Sequence, residues 1–340
     1  MVTIMSYFQG TTLSASTIKV YEPCIQKWRE LVPDKSLEYI IYNPRQAIRT
    51  LALHLKKREK IEKKSVCTMN NLRNYIAPIL AVLRHSPHIA PTVPDRQEFA
   101  KLWLEILNEV SKPMKDRQKQ HLPTVNQSKK GGSRLTYDQI IQRRDQGDLG
   151  MYEHLLLSMY TYIYPVRADY YATELVKDGN EPTTANYIRI EKDHSELVIR
   201  DFKTAKVYPP IHYPQLPDIL HQVILRSLEK EPRLYLFEKP NGKPYSRNSF
   251  SQWASRTLHQ IFGVEMTLTL IRHHFISTLS MDVPVIELEE IGQLMGHSIP
   301  TQRMYKWYPQ KKEDGEVEED EEDGEDEEDE EDEEEKDEEE

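Results

Sequence analysis

Two stretches near the C-terminus, LTLIRHHFISTLS (residues 268–280) and MGHSIPTQRMYKWY (residues 295–308), concentrate particular polar side chains. Together they hold Arg272, three histidines and two tyrosines, among apolar residues whose spacing predicts short helices. Soon afterwards the chain becomes almost purely acidic. The charge and organisation of the rest of the chain indicate which function these side chains serve.

The net charge of the 340-residue chain, −11, hides two blocks of opposite sign. Residues 313–340 contain 24 Asp and Glu and one Lys, a charge of −23, so residues 1–312 carry +12. Within residues 1–130, 22 Lys and Arg stand against 11 Asp and Glu. A basic folded body attracts a polyanion, most plausibly nucleic acid, whereas the acidic tail attracts a basic protein or the body itself.

Composition also narrows the class of protein. Hydrophobic residues make up 38% of the chain, which supports a folded core everywhere except in the tail. No apolar run approaches the roughly 20 residues of a membrane helix, and the N-terminus lacks the pattern of a signal peptide. Cys24 and Cys67 are far apart in sequence and are interpreted as reduced thiols. We therefore expect an intracellular protein of the nucleus or cytoplasm, without a membrane partner.

Residues 1–112 predict a small helical domain. Helical spacing of apolar residues, or a helix-start signal, occurs in four segments: residues 11–32, 43–64, 68–86 and 95–112. The second segment ends in the basic sequence KKREKIEKK (56–64), which is typical of a contact to a nucleic-acid backbone, a nuclear localisation patch or a solvated helix face.

Residues 113–135 combine two Pro, two adjacent Gly and several Lys and Arg, which predicts a basic interdomain linker. A second domain spans residues 136–312, where helical segments flank an alternating stretch at 186–214 that is typical of short strands joined by tight turns. Residues 313–340 are predicted to be disordered because they have almost nothing to bury. The fold class expected is mainly α with a small antiparallel β-sheet.

The second domain carries five polar residues in a suggestive order. Arg167 follows an apolar helix in YPVRADYYATEL, and Lys203 lies in the predicted turn of a β-hairpin in IRDFKTAKVYPP. Arg272 lies in TLIRHHFIST, His297 in MGHS, and Tyr305 eight residues further on.

Taken in this order, these residues resemble the tyrosine recombinase (integrase) family. The family's pattern is an Arg on an early helix, a hairpin Lys, a His-x-x-Arg box, a Leu-Gly-His-Ser-like box and a nucleophilic Tyr. The resemblance covers residues ~135–308 by motif and residues 1–112 only by architecture, since the family carries a helical DNA-clamping domain in front. The RADYY segment (167–171) looks like the variants of large DNA viruses and eukaryotic mobile elements.

The resemblance implies site-specific cutting and rejoining of double-stranded DNA through a 3′-phosphotyrosine intermediate, with no metal and no cofactor. It also implies a homo-oligomer on DNA and, for a viral protein, a location in the host nucleus or cytoplasm or in the virion. Lys56, Lys57, Arg58, Lys63 and Lys64 would then contact the DNA backbone, with strongly salt-dependent binding.

The chemistry of transesterification fits the same residues. Tyr305 would supply the nucleophile, a phenol that is weak unless cations surround it. Arg167 and Arg272 would grip the non-bridging oxygens of the phosphate, and this electrostatic clamp would supply most of the rate. Lys203 would protonate the departing 5′ oxygen, and His297 would donate to the phosphate or orient the tyrosine.

The sequence departs from the family's pattern in several places. The first position of the His-x-x-Arg box is Thr269, which can donate a hydrogen bond but is neither a cation nor a good base. His273 or His274 could partly substitute, although His273 more often has a packing role in the family. Lys206 is an alternative to Lys203, and Tyr308 is a less favoured alternative to Tyr305. The chain also lacks the apolar C-terminal helix through which relatives assemble.

Two other functions remain open. A type IB topoisomerase-like enzyme would use the same nucleophile and clamp, but would religate the same strand and relax DNA. A catalytically inactive DNA-binding module is suggested by Thr269. The acidic tail is interpreted either as a competitor of DNA for the basic body or as a binding segment for a basic protein.

Overall fold

The computed structural model describes residues 7–32, 36–62, 69–89, 91–123, 127–128, 131–177 and 179–307. The described residues up to Gln120 form one compact unit, and His121–Pro123 with the described residues from Gln127 onward form a second. Within these ranges, no helix is both long and apolar enough to cross a membrane.

The first unit contains five helices in its described part. They are α1 (Ala15–Leu31), α2 (Leu37–Tyr42), α3 (Pro44–Glu62), α4 (Met69–His85) and α5 (Arg96–Lys119). The side-chain oxygens of Ser14 and Ser36 cap α1 and α2 by accepting backbone N–H donors of the first turn. The sequence predicts four of these helices; α2 is the additional one.

Two tryptophans centre the core of the first unit. The rings of Trp28 and Trp103 meet edge to face with centroids 6.1 Å apart, and both side chains are fully buried. Their indole N–H groups donate to the carbonyls of Tyr75 (2.8 Å) and Ile41 (3.2 Å), which satisfies the two polar atoms inside an apolar cluster.

Helix α5 differs from the sequence-based expectation at its C-terminal end. The composition predicts a linker from residue 113, but the helix continues through Pro113 to Lys119. Ser111, which is buried, donates to the carbonyl of Leu107 within the helix, and Arg117 and Lys119 lie in the last turn, where basic side chains favour a helix end.

The second unit is mainly helical and contains one four-stranded sheet. A short 3-10 helix, Gly132–Arg134, precedes α6 (Tyr137–Asp145) and α7 (Met151–Thr161). The strands are β1 (Glu174–Lys177), β2 (Asn186–Ile190), β3 (Ser195–Ile199) and β4 (Ile211–Tyr213). Five helices follow: α8 (Asp218–Lys230), α9 (Arg247–Phe262), α10 (Leu268–Thr278), α11 (Val285–Leu294) and α12 (Ile299–Tyr305).

The expected fold class, mainly α with a small sheet, is confirmed, but the sheet is mixed rather than antiparallel. The strand order is β1-β2-β3-β4, with β1 parallel to β2 and the other pairs antiparallel. The buried carboxylate of Glu174, at the start of β1, accepts the backbone N–H groups of Thr183 (2.7 Å) and Thr184 (3.0 Å). These hydrogen bonds place Thr183 and Thr184 beside the start of β1. Strand β2, which begins two residues later, therefore runs parallel to β1.

The core of the second unit lies between the sheet and its helices. Nearly every residue of α7 from Leu155 to Tyr160 is buried, and this helix packs with the inner-face residues of the sheet, Ile188, Leu197 and Ile199. This central packing fixes the segment that follows α7, which carries Arg167, and the loop between β3 and β4, which carries Lys203.

Candidate functional site

Arg272 is the buried centre of the site. It lies on α10, which the Thr267 side chain caps, and its side chain is 0% exposed. Its Nη1 donates to the carbonyls of Pro165 (2.7 Å) and Met295 (3.2 Å), and its Nη2 donates to Nδ1 of His297 (2.7 Å). Its Nε is buried and has no hydrogen-bond partner among the described residues. Burial lowers the pKa of Arg272, but a guanidinium of such high basicity stays charged.

His297 is held as a neutral hydrogen-bond donor. It follows Gly296, whose positive φ of 67° turns the chain after α11, and its side chain is 3% exposed. Burial, aided by the charges of Arg272 and Arg167, lowers the pKa of His297 to about 2. Because Nδ1 accepts from Arg272, the neutral ring carries its proton on Nε2, which is buried and has no hydrogen-bond partner in the part of the chain that the structure describes.

Arg167 lies in the segment after α7, and its carbonyl accepts a hydrogen bond from the Tyr160 hydroxyl (2.6 Å). The side chain is half-buried, and its guanidinium has no hydrogen-bond or salt-bridge partner in the described part of the chain. Its positive charge lowers the pKa of both Arg272 and His297, so it lies within electrostatic reach of them. An anion bound near both guanidiniums would relieve their mutual repulsion.

Tyr305 ends helix α12 and packs against the same cluster. The Arg272 guanidinium carbon lies 5.3 Å from the centre of its ring, and the His297 ring stacks on it with centroids 5.7 Å apart. His273 donates from Nδ1 to the Tyr305 carbonyl (2.7 Å) and stacks on Trp307 with centroids 4.2 Å apart. Arg272, His297 and Tyr305 are therefore brought together. Tyr308 lies outside the described residues.

His121 also holds the end of this helix. It directly follows the first unit in the chain, has a positive φ of 55°, and donates from Nδ1 to the Lys306 carbonyl (2.9 Å). The two residues after Tyr305 are thus both held: the Lys306 carbonyl accepts from His121, and the Trp307 N–H donates to Ser277 of α10.

Lys203 lies in the loop between β3 and β4, where the sequence predicts it, and both it and Lys206 are exposed. The Thr204 hydroxyl on this loop donates to the Gly296 carbonyl (2.7 Å), and buried Phe202 lies against Gly296. The loop is thus joined to the turn that carries His297. The choice between the two lysines stays a prediction.

Thr269 and the neighbouring histidines do not supply a further cation. Thr269 is exposed in the first turn of α10, and buried His274 donates from Nε2 to the carbonyl of Gly132 (2.9 Å), away from Tyr305. Burial lowers the pKa of His273 to about 3, so that ring is neutral. Neither histidine replaces a charged residue at the position of Thr269.

The basic segment of α3 presents some of the predicted DNA-contacting residues. Lys56 and Lys57 are exposed, Arg58 is half-buried, and Lys63 and Lys64 lie outside the described residues. The sequence-based prediction missed three exposed basic residues of the same helix, which share a face with Lys56 at helical spacing: Arg45, Arg49 and Lys60. We call Arg45, Arg49, Lys56 and Lys60 the α3 basic stripe; helical periodicity applied to the charges alone would have found it.

The chain is similar in structure to solved site-specific recombinases, at low identity. Over 90% of this chain, it aligns with 92% of XerA recombinase (14% identity), with 90% of XerH recombinase bound to its difH substrate before cleavage (15%), and with 92% of XerH bound to a palindromic difH substrate after cleavage (13%), each with a TM-score of 0.39. No family model matches the chain, and no curated protein matches it.

Proposed function

We propose that the chain is a DNA strand transferase, a site-specific recombinase that cuts and rejoins DNA through Tyr305. The observation that carries the proposal is the arrangement of Arg272, His297 and Tyr305, with Arg167 in electrostatic reach. A buried guanidinium and an imidazole N–H that has no hydrogen-bond partner among the described residues lie beside one phenol, and a second guanidinium lies within electrostatic reach of both. This set matches an oxygen-rich anion that is attacked by a hydroxyl.

The proposed reaction is a transesterification. The Tyr305 oxygen attacks the phosphorus of a DNA phosphodiester, the bond to the 5′ oxygen breaks, and a 3′-phosphotyrosine forms. Lys203 donates a proton to the 5′ oxygen, and the phenolic proton passes to solvent. Religation reverses these steps with another 5′ hydroxyl, so the reaction conserves bond energy and uses no cofactor.

Neither His297 nor His273 acts as the general base for Tyr305 in this scheme. The pKa values of His297, about 2, and His273, about 3, make both rings too weakly basic to take the phenolic proton at neutral pH. His297 instead donates its Nε2 proton to a non-bridging phosphate oxygen. Activation of Tyr305 then rests on Arg272, whose positive charge over the ring favours the developing phenolate.

Covalent trapping tests the proposal directly. The full chain is incubated with a nicked suicide duplex in the presence of a metal chelator, and protein–DNA adducts are separated on a denaturing gel. We expect an adduct with the native chain and with the control variant Tyr308→Phe, and none with Tyr305→Phe. Mass spectrometry of the adduct should place the nucleotide on Tyr305.

Two outcomes would overturn the proposal. An adduct that persists in Tyr305→Phe would assign the nucleophile elsewhere, and no adduct on DNA that the chain binds tightly would favour an inactive binding module. Recombination is then separated from relaxation by assaying strand exchange between two duplexes beside relaxation of a supercoiled plasmid. Relaxation without exchange would identify a topoisomerase-like activity. Sedimentation of the chain on a duplex that carries two cleavage sites tests the proposed homo-oligomer.

A further inference from the structure

A buried ion pair joins the segment that carries Arg167 to helix α9. The Asp169 side chain is almost completely buried, and its carboxylate accepts from Nη1 of Arg247 at 2.5 Å. Arg247 is the first residue of α9, which the Ser246 side chain caps, so its backbone is fixed. Asp169 follows Arg167 by two residues, and the ion pair therefore restrains the backbone next to a proposed phosphate ligand.

The same guanidinium reaches the loop that carries Lys203. Nη2 of Arg247 lies 3.8 Å from a carboxylate oxygen of Asp201, two residues before Lys203. Tyr171 donates a short hydrogen bond to the other oxygen of Asp201, and the Arg247 guanidinium lies 5.2 Å from the centre of the Tyr171 ring. Arg247 thus lies between two carboxylates that belong to two different segments.

The backbones of these segments are already joined by Asn186, the buried first residue of β2. Its Nδ2 donates to the carbonyls of Asp169 (3.2 Å) and Asp201 (2.9 Å), and its Oδ1 accepts the N–H groups of Arg200 and Asp201. Asn186 fixes where the two segments pass each other. Arg247 neutralises the carboxylates of Asp169 and Asp201, which belong to these two segments.

The charge of Asp169 makes this neutralisation important. Burial raises the pKa of Asp169, and Arg247, Arg272 and Arg167 oppose that shift. Apart from Arg247, the cations that act on Asp169 are therefore the two arginines of the proposed clamp. Without Arg247, the carboxylate would attract them away from the phosphate, and Asp169 and Asp201 would repel each other.

We infer that Arg247 is a positioning residue that neutralises Asp169 and Asp201 and so aligns the Arg167 segment with the Lys203 loop. This inference rests on the proposed function. Arg247 acts through the two segments and does not touch the reacting atoms. It keeps the positive charge of the clamp available to the phosphate and holds the proton donor at the leaving oxygen.

The matched variants are Arg247→Gln, Arg247→Lys and Arg143→Gln. Arg143, on α6, is a suitable control because its side chain is 23% exposed, against 25% for Arg247, and it pairs with Asp148 at 2.6 Å. Tyr171→Phe, which removes only the hydroxyl that holds Asp201, keeps the test valid if Arg247→Gln fails to fold.

The first readout needs no DNA. Hydrogen exchange of the full chain is followed at the backbone amides of residues 202–208. We expect roughly tenfold faster exchange in Arg247→Gln, a smaller increase in Tyr171→Phe, and no change in Arg143→Gln, because only the first two release Asp201. Unchanged exchange in both Arg247→Gln and Tyr171→Phe would overturn the coupling.

The second readout separates the proton donor from the clamp. Cleavage is compared on a normal suicide duplex and on one whose scissile 5′ oxygen is replaced by sulfur, because a thiolate leaves without needing a proton. We expect Arg247→Gln to lower the rate on the normal duplex by about 10- to 100-fold, with several-fold recovery on the sulfur duplex. Arg247→Lys should restore part of the rate, because a lysine still neutralises one carboxylate.

The outcomes distinguish the inference from the proposed function. If the native chain forms no adduct but exchange at residues 202–208 changes as expected, the coupling stands and the proposed function fails. If the native chain forms the adduct and Arg247→Gln cleaves like Arg143→Gln on both duplexes, the proposed function stands and the positioning role of Arg247 is wrong.

Discussion

Nη2 of Arg272 lies 2.7 Å from Nδ1 of His297, and neither side chain is appreciably exposed to solvent. A guanidinium can only donate, so this contact removes Nδ1 of His297 from any other role and leaves the ring with one proton, on Nε2. Arg272 thereby sets the tautomer of His297, in addition to its proposed role as a phosphate ligand.

This tautomer predicts how His297 variants behave. His297→Phe keeps the ring shape but removes the donor and should lower the cleavage rate by about 10²–10³-fold, the usual cost of one preorganised donor. His297→Gln, which can still donate from its amide, should lose less. The rate of the native chain should show no titration of His297 between pH 5.5 and 8. Rates on a suicide duplex measure both effects, and equal losses in the two variants would contradict the assignment.

Acid should destabilise the second unit through its buried histidines. The folded pKa values of His297, about 2, and His273, about 3, lie below the value of ~6.5 for an unfolded histidine. The unfolded chain therefore binds more protons below pH 6.5, and stability is lost as the pH falls from 6.5 towards 3. The loss is about 1.4 kcal/mol per pH unit for each histidine.

Urea unfolding at pH 7 and pH 5 measures this loss. His297→Gln should unfold with a shallower pH dependence than the native chain, by about the contribution of one histidine. His259→Gln, at an exposed position on α9, serves as the matched control variant. An unchanged pH dependence in His297→Gln would show that His297 binds protons equally in the folded and unfolded chain, contrary to its burial as a neutral ring.

Variants of Thr269 test whether the site is active with Thr at the first position of the His-x-x-Arg box or belongs to an inactive DNA-binding module. Because the Thr269 side chain is exposed, Thr269→Ala should change the free energy of unfolding by less than about 0.5 kcal/mol and the cleavage rate by less than about tenfold. Thr269→His, one helical turn before Arg272, should raise the rate by adding a donor. A loss of more than about 100-fold in Thr269→Ala would show that the hydroxyl belongs to the reacting cluster.

The α3 basic stripe should bind DNA through its phosphates. Replacing Lys56 by Ala should weaken binding of random duplexes and lower the slope of log Kd against log salt by about 0.9 for each phosphate that is no longer neutralised. Arg49→Ala should act in the same way. Lys192→Ala, at an exposed position in the β2–β3 turn, is the control. Equal changes for Lys192 and the stripe residues would argue that charge alone, without position, governs binding.

The acidic tail should compete with DNA for the basic body. Deleting residues 313–340 changes the net charge from −11 to +12, and the truncated chain should bind DNA more tightly at low salt, with a difference that shrinks as salt rises. A neutral tail of equal length controls for excluded volume. Unchanged affinity at low salt would leave a basic protein as the partner of the tail.

Much of the fold could be predicted because local sequence patterns indicate most of its helices and two of its strands. Helical periodicity and Ser or Thr caps mark the helices of the first unit, and alternation marks β2 and β3. Strand β1 was not predicted because four residues, ELVK, are too few for a pattern, and its parallel pairing depends on contacts of Glu174 with residues nine and ten positions away.

In the candidate site, too, residues in local motifs could be predicted from the sequence, whereas long-range contacts could not. Arg272, His297 and Tyr305 could be singled out because each lies in a recognisable motif, and the structure brings these three together. Arg247 could not be found, since its contact with Asp169 spans 78 positions and neither residue belongs to a local repeat. Likewise, the contact between Thr204 and Gly296 joins residues 92 positions apart. Polar contacts between residues so far apart in sequence depend on the finished packing and have no periodic signature.

The hydrogen bond from His121 to the Lys306 carbonyl affects how the protein could be divided into fragments. A fragment cut at the predicted domain boundary, residue 136, would lack the histidine that holds the residue after Tyr305. Such a fragment could fold and still misplace Tyr305, the proposed nucleophile, and a loss of the proposed activity would then be wrongly attributed to the missing helical domain. A fragment that begins at His121 retains this anchor and allows the contribution of the helical domain to be measured separately.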